Sequence, residues 1–337
     1  MKYSVLLSCL LCARALAADP LPALGVDGKA VTVSGLSAGG FMAVQLHVAH
    51  SSVVRGAGVI AGGPYYCARD SLWSAYFNCR RPGGAAPLPA NGVLRDEAER
   101  QAKAGRIDPT ANLLGTRAWL FSGLKDSVVA PAVVESLGVF YASYSVETTF
   151  VRDKPAGHAM PALDVGNVDC GVSVAPFVND CDYDGAGELL KKLLGMLHAP
   201  VTKESGRLSR FDQKAFAPDV KALSLGDEGY LYVPASCEKG GCRLHVALHG
   251  CMQTLDDVGD QFVRLAGYNR WADTNRLVIL YPQVTKRAGW AFGTWSYVWN
   301  PNGCWDWWGY TGPLYHTKEG PQVRALKAMV ERLSAPR

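Results

Sequence analysis

Gly35-Leu36-Ser37-Ala38-Gly39-Gly40-Phe41-Met42 is the stretch on which the fold turns. A short β-rich run, Ala30 to Val33, precedes it, and an apolar helical run, Phe41 to Ala49, follows it. Gly-x-Ser-x-Gly between a strand and a helix is the nucleophile elbow. The backbone reverses so sharply there that side chains flanking the serine would clash, and glycines take those places. Chance would supply about 0.2 such pentapeptides in a chain of this glycine and serine content, so the flanking elements carry the assignment. The competing reading is a structural glycine-rich turn.

Working outward, Val53 to Ile60 reads as a second strand leading into Gly62-Gly63-Pro64, and residues 80–92, rich in Pro, Gly and Ala, as a surface loop. Arg117 to Phe121 is a strand ending at Gly123-Leu124-Lys125-Asp126, and Pro131 opens a helix running to about Ser143. Thr148 to Arg152 is a strand ending at Pro155-Ala156-Gly157-His158. Strands alternating with helices predict an α/β fold, a mostly parallel sheet with helices on both faces. Residues 206–229 are polar and broken. Beyond them come strands Tyr230 to Val233 and Leu244 to Leu248, a helix from about Val258 to Asn275, a strand Leu277 to Tyr281 and a final helix from about Pro321 to Leu333. Trp290 to Tyr310 holds six of the nine tryptophans and reads as a structured loop.

A serine hydroxyl is a weak nucleophile without a base, and the base needs an orienting carboxylate. Ser37, Asp126 and His158 each follow a strand candidate, where ligands of a parallel sheet gather, and stand in the order serine, acid, histidine. Rivals for the acid are Asp153 and Asp164, both too near His158 to come from a separate strand; rivals for the base are His47, His50 and His198, the last placed on an apolar helix. Acyl transfer also needs two N–H donors for the oxyanion. One is the amide after the nucleophile, Ala38; the other comes from a loop that often begins His-Gly, here His249-Gly250-Cys251 after Leu244 to Leu248. That loop normally precedes the serine and here follows it. Moving the block from about 230 to 333 ahead of residue 25 restores the usual order. The chain therefore reads as one circularly permuted α/β-hydrolase domain, 18–337, with 206–229 as the fused old termini. This chemistry calls for no metal and no organic cofactor.

A chain of 337 residues, 48% hydrophobic and 19% charged, can bury a large core, which excludes disorder and fibres. A net charge of +4 spread along the chain indicates no nucleic-acid partner. Ten cysteines without metal-type spacing indicate disulfides and export. Lys2, the apolar run Val5 to Leu11 and Ala15-Leu16-Ala17 form a signal peptide, 1–17, cleaved after Ala17. The run is well short of the roughly 20 residues of a spanning helix. A lipoprotein site at Cys9 or Cys12 is an alternative that would leave a stunted leader. Cleavage leaves eight cysteines and on the order of a hundred pairings. Proximity selects Cys67 with Cys79, Cys170 with Cys181 and Cys237 with Cys242, leaving Cys251 with Cys304.

The elbow Gly35 to Met42, the Gly157-His158 loop, Leu248-His249-Gly250-Cys251, Tyr281-Pro282-Gln283 and Asn300-Pro301-Asn302-Gly303-Cys304-Trp305-Asp306-Trp307 together resemble the poly(3-hydroxybutyrate) depolymerase family, in its secreted, single-domain, permuted form. The resemblance spans nearly the whole mature chain. It implies a secreted serine esterase acting on poly(3-hydroxybutyrate) and its oligomers, with Ser37, Asp126 and His158 as triad and the Ala38 and Cys251 amides as oxyanion hole. It also implies Trp307 as an aromatic wall beside the serine. Each of the other tryptophans in this segment is read as core. The expected partner is a polyester or oligoester, and the chain is expected to work as a monomer. Two other readings stand beside this one. The same triad would serve an acetyl or feruloyl carbohydrate esterase, and the aromatic segment would serve a non-catalytic polymer-binding protein.

Overall fold

The computed structural model describes residues 18–166, 168–217, 219–291 and 296–337. The expected leader, with Cys9 and Cys12, and Trp295 lie outside the described residues. The chain opens with β1 (Asp19–Pro20) and β2 (Val31–Leu36), turns at Ser37 into α1 (Ala38–Ala49) and returns along β3 (Val54–Ile60). After α2 (Leu72–Phe77) and α3 (Asn91–Lys103) come β4 (Arg117–Phe121), α4 (Pro131–Ala142) and β5 (Glu147–Val151). Short β6 (Met160–Ala162) and β7 (Val178–Asp180) pair with each other ahead of α5 (Gly185–Leu194). The second half runs β8 (Arg207–Asp212), β9 (Glu228–Val233), β10 (Arg243–Leu248), α6 (Leu255–Val258), α7 (Gln261–Leu265), α8 (Tyr268–Asn275) and β11 (Leu277–Tyr281). It closes with a hairpin, β12 (Arg287–Ala291) and β13 (Ser296–Asn300), and α9 (Pro321–Ser334).

Nine strands form one sheet in the order β1-β8-β9-β11-β10-β2-β3-β4-β5. Every pairing in it is parallel except those that β9 makes with β8 and β11. The central strands β2 and β11 are buried along their whole length, as a sheet covered on both faces requires. Strand β3 shows the covering directly. A Cβ on Gly58 would strike Leu189 of α5, whereas its neighbour Val59 meets Gly40 of α1. Adjacent strand residues point to opposite faces, so α5 and α1 lie on opposite sides of the sheet. Every residue of α1 is buried, and its run of apolar and small residues has no polar face to give to water.

Beneath the elbow a polar clasp joins β2 to β10. His245 stands 2.8 Å from Thr32 Oγ1 through Nδ1 and 2.8 Å from Ser34 Oγ through Nε2. Ser34 Oγ also lies 2.7 Å from the Tyr268 hydroxyl. All four side chains are buried, and the clasp leaves each of these groups a partner.

The structure adds the short elements β1, α2, β6 and β7 to the sequence reading and departs from it elsewhere as follows. The helix expected over Val258 to Asn275 is three short helices, broken where Gly259 (φ 60°) and Gly267 (φ 92°) enter the left-handed region. Residues 206–229 contain strand β8, half-exposed and partly charged, which hid its pattern. Helix α3 was not anticipated after the 80–92 loop. His198 lies past the end of α5 and is exposed. The segment Trp290 to Tyr310 begins as hairpin strands, because Trp, Tyr and Val favour extended backbone more strongly than the surrounding Gly and Asn disfavour it. Within it Trp305 is buried, but Trp290 and Trp299 are about half exposed rather than core.

Candidate active site

The elbow is strained where the sequence requires it. Ser37 adopts φ 57°, ψ −121°, a conformation that costs a side-chain-bearing residue on the order of 1–3 kcal/mol. Its amide donates to the Ile60 carbonyl at 2.8 Å and its carbonyl accepts from Phe41 at 3.0 Å, which pins the turn between β2 and β3. A Cβ on Gly35 would come within 2.2 Å of the Gly39 backbone, and one on Gly39 within 2.4 Å of the His249 carbonyl oxygen. The two glycines thus let the elbow close on itself and on the loop after β10.

Asp126 and His158 arise from the loops after the neighbouring strands β4 and β5. The Asp126 side chain is fully buried: Oδ1 accepts the Val128 and Val129 amides at 2.8 and 2.9 Å, and Oδ2 lies 2.8 Å from His158 Nδ1. With Nδ1 committed, Nε2 is the ring nitrogen left for chemistry. The His158 amide donates to Ser173 Oγ at 2.8 Å and the Gly157 amide to the Cys170 carbonyl at 2.8 Å. The two loops are in backbone contact, since a Cβ on Gly123 would lie 2.1 Å from the Ala156 oxygen.

The rivals are placed elsewhere. Asp153 and Asp164 are exposed, and Asp153 pairs with Lys154. His47 and His50 are buried in and beside α1, and burial pushes them down to about 3 and about 4. Of all these candidates, Ser37 and His158 line one cleft of about 430 Å³. The two share it without a hydrogen bond between them. Such contacts are often long in a free enzyme and tighten when substrate arrives.

After β10 the loop His249-Gly250-Cys251 crosses the elbow. His249 Nε2 accepts the Val284 amide at 3.2 Å, so Nδ1 carries the proton and donates to the Gly250 carbonyl at 2.7 Å. Burial holds this imidazole down to about 4, in keeping with a neutral ring. Gln253 Oε1 accepts the Gly250 amide at 2.6 Å, while its Nε2 donates to the carbonyls of Pro176 (2.8 Å) and Phe177 (3.3 Å). The amides of Ala38 and Cys251 have no acceptor among the described residues. They are the pair that sequence reasoning assigned to an oxyanion.

Four disulfides join Cys67 to Cys79, Cys170 to Cys181, Cys237 to Cys242 and Cys251 to Cys304. The last ties the loop after β10 to the aromatic segment. Trp307 stacks on Phe41 with centroids 4.0 Å apart and planes 14° from parallel, and both line the cleft. Asp306 shapes this turn by accepting the amides of Trp308, Gly309, Tyr310 and Thr311 and the Thr311 hydroxyl. Leu72, Tyr76, Met252 and Trp299 extend the apolar wall toward solvent. Sequence reasoning missed Gln253 and Ser173 and gave Asp306 no role within its motif; Gln253 stands four residues after His249, whereas nothing in the sequence marks Ser173, fifteen residues after His158. Among the described residues no cluster of three or more His, Cys, Asp or Glu could hold a metal ion, and no helix is long and apolar enough to cross a membrane.

A mostly parallel sheet flanked by helices, with a serine at the strand-to-helix elbow, defines an α/β-hydrolase fold. No family model matches the chain. A poly(3-hydroxybutyrate) depolymerase of Delftia acidovorans is 44% identical over 327 residues, covering 95% of this chain and 62% of that protein. A polyhydroxybutyrate depolymerase of Talaromyces funiculosus is 38% identical over 333 residues, covering 95% of this chain and 94% of its own. A solved PHB depolymerase, a serine-to-alanine variant complexed with an R3HB trimer, matches with a TM-score of 0.81 at 35% identity, over 94% of this chain and 98% of that one. The chain belongs to the poly(3-hydroxybutyrate) depolymerase family. It spans 62% of the length of the Delftia relative.

Proposed function

We propose that the chain is a serine esterase that hydrolyses the ester bonds of poly(3-hydroxybutyrate) and its oligomers through an acyl-enzyme. The observation that carries this reading is the 2.8 Å contact of a fully buried Asp126 with His158, in a cleft that Ser37 shares. His158 Nε2 takes the Ser37 proton as Oγ attacks the ester carbonyl. The Ala38 and Cys251 amides receive the developing oxyanion. Asp126, acting through Nδ1, stabilises the imidazolium. His158 then protonates the departing alkoxide oxygen, and a water activated by the same nitrogen releases the acyl group and regenerates Ser37. Trp307 and Phe41 supply apolar wall to the hydrocarbon parts of the polyester, and the solved relative's trimer complex supports an oligomeric ester as ligand.

The sheet order supports a permuted domain spanning 18–337, with 206–229 as the joined ancestral ends. The strand carrying the oxyanion loop lies beside the elbow strand in space although it follows it in the chain. Four disulfides support export, with the leader removed after Ala17. One chain supplies every member of the site, so a monomer is the proposed working unit.

Incubation of the wild type and of Ser37→Ala with amorphous poly(3-hydroxybutyrate), followed by mass spectrometry of the soluble fraction, tests the proposal. Release of 3-hydroxybutyrate or its oligomers by the wild type alone is expected. Fluorophosphonate labelling of Ser37 without polymer products would redirect the assignment to another ester, and no labelling would leave a binding protein.

A further inference from the structure

We propose that Arg80 is a carboxylate subsite, which receives the free acid end of a hydroxyacid oligomer lying in the Ser37 cleft. The proposal rests on the esterase reading above for the chain that bears the carboxylate. Arg80 lines the same cleft as Ser37 and His158, and Phe41, Leu72, Tyr76 and Val129 are among its other lining residues. Arg80 is half-buried in this cleft, and a guanidinium there with no protein anion beside it is open to an anionic ligand. Among the described residues Arg80 enters no ion pair, its Nε is buried with no hydrogen-bond partner, and its terminal nitrogens make no hydrogen bond to protein.

What holds the guanidinium leaves its donors unused. It lies over the Tyr76 ring, with Cζ 4.6 Å from the centroid, a contact that needs no hydrogen bond from its N–H groups. The backbone beneath it is anchored on both sides. Cys79 is bridged to Cys67, and the Arg80 carbonyl accepts the Ala130 amide at 2.8 Å. Arg81 Nη1 donates to the Ser127 carbonyl at 2.5 Å, which docks the segment on the loop that carries Asp126. A fixed guanidinium with free parallel donors matches a carboxylate bidentately. In an oligomer of hydroxyacids the interior carbonyls are neutral esters, and only the terminal unit carries a full negative charge. Arg80 therefore distinguishes the end of a soluble oligomer from the interior of a polymer.

The test is calorimetric titration of Ser37→Ala with the 3-hydroxybutyrate trimer as free acid and as methyl ester, in Arg80, Arg80→Gln and Arg80→Lys backgrounds at neutral pH. With Arg80 the acid is expected to bind at least about tenfold more tightly than the ester, the value of one charge-assisted contact. Arg80→Gln should erase the ratio and Arg80→Lys keep part of it. Equal binding of acid and ester with Arg80 in place, or a preference that survives Arg80→Gln, overturns the proposal. If Arg80→Gln fails to fold, a ratio reduced in Arg80→Lys assigns the preference to Arg80, and one left at full size there overturns the proposal. Because no turnover is read, an Arg80-dependent preference in a protein that degrades no polymer would sink the depolymerase reading alone. Polymer degradation without the preference would sink the subsite alone.

Discussion

The side-chain oxygen of Gln253 takes the Gly250 amide at 2.6 Å, and His249 Nδ1 holds the Gly250 carbonyl at 2.7 Å, so that the peptides on both sides of Gly250, including the one that carries the Cys251 amide, are fixed. The same side chain donates to the Pro176 and Phe177 carbonyls, in the segment whose Ser173 holds the His158 amide. One buried residue thus positions the oxyanion loop and braces the histidine loop. Replacing Gln253 by Leu removes both functions, and kcat is expected to fall by about 10- to 100-fold, short of the loss of a whole oxyanion donor, with KM changing much less. Gln253→Glu keeps an acceptor for Gly250 but sets a carboxylate against two carbonyls, so it should rescue little. Steady-state kinetics on a p-nitrophenyl ester distinguish this from a packing role, which would lower Tm and leave kcat per folded molecule intact.

Ser37 holds a conformation suited to glycine. Ser37→Gly is expected to abolish turnover and raise stability by about 1 kcal/mol, whereas Ser37→Ala abolishes turnover and leaves the strain in place. Thermal melts of the two variants compare them directly. A Gly variant no more stable than the Ala variant would show that the elbow stores no strain.

The bridge from Cys251 to Cys304 closes a loop of 53 residues. Replacing both cysteines by Ala should cost about 4 kcal/mol by the chain-entropy argument and release the aromatic turn from the oxyanion loop. Denaturant midpoints and kcat are expected to fall together. A variant that loses stability with unaltered kcat would separate the bridge from the site.

Four histidines are buried with their basicity depressed, chiefly by loss of hydration: His47 and His245 to about 3, His50 and His249 to about 4. In the unfolded chain each titrates at about 6.5. Between that value and about 4 the unfolded state binds protons that the folded state refuses, so stability rises with pH across this window and is lost on acidification. Urea midpoints should be level above about pH 7 and drop steadily toward pH 4.5. A midpoint independent of pH in that range would contradict the burial of these rings.

The parts of the fold legible in the sequence were those governed by local rules. Gly35, Ser37 and Gly39 announce the elbow because a sharp strand-to-helix turn restricts its own residues. Asp126 was legible because it follows an apolar run that the sheet buries as β4, and His158 because it follows a β-rich run, which forms the half-exposed edge strand β5. Hairpin β12–β13 and strand β8 were not, since their exposed and mixed residues carry no burial pattern until a neighbouring strand supplies the partner.

By itself, then, the sequence determined the strand, turn and helix at Ser37, the alternation that makes the sheet and the residue types of a triad. Only the tertiary structure decided that His158 meets Asp126 rather than Asp153 or Asp164, that Gln253 reaches Gly250 and Pro176 together, and that Arg80 Nε finds no partner among the described residues. The reason is physical. Turn chemistry and apolar periodicity act over a few residues along the chain, whereas His158 meets Asp126 across 32 positions and Gln253 meets Pro176 across 77, only after the sheet has aligned its loops.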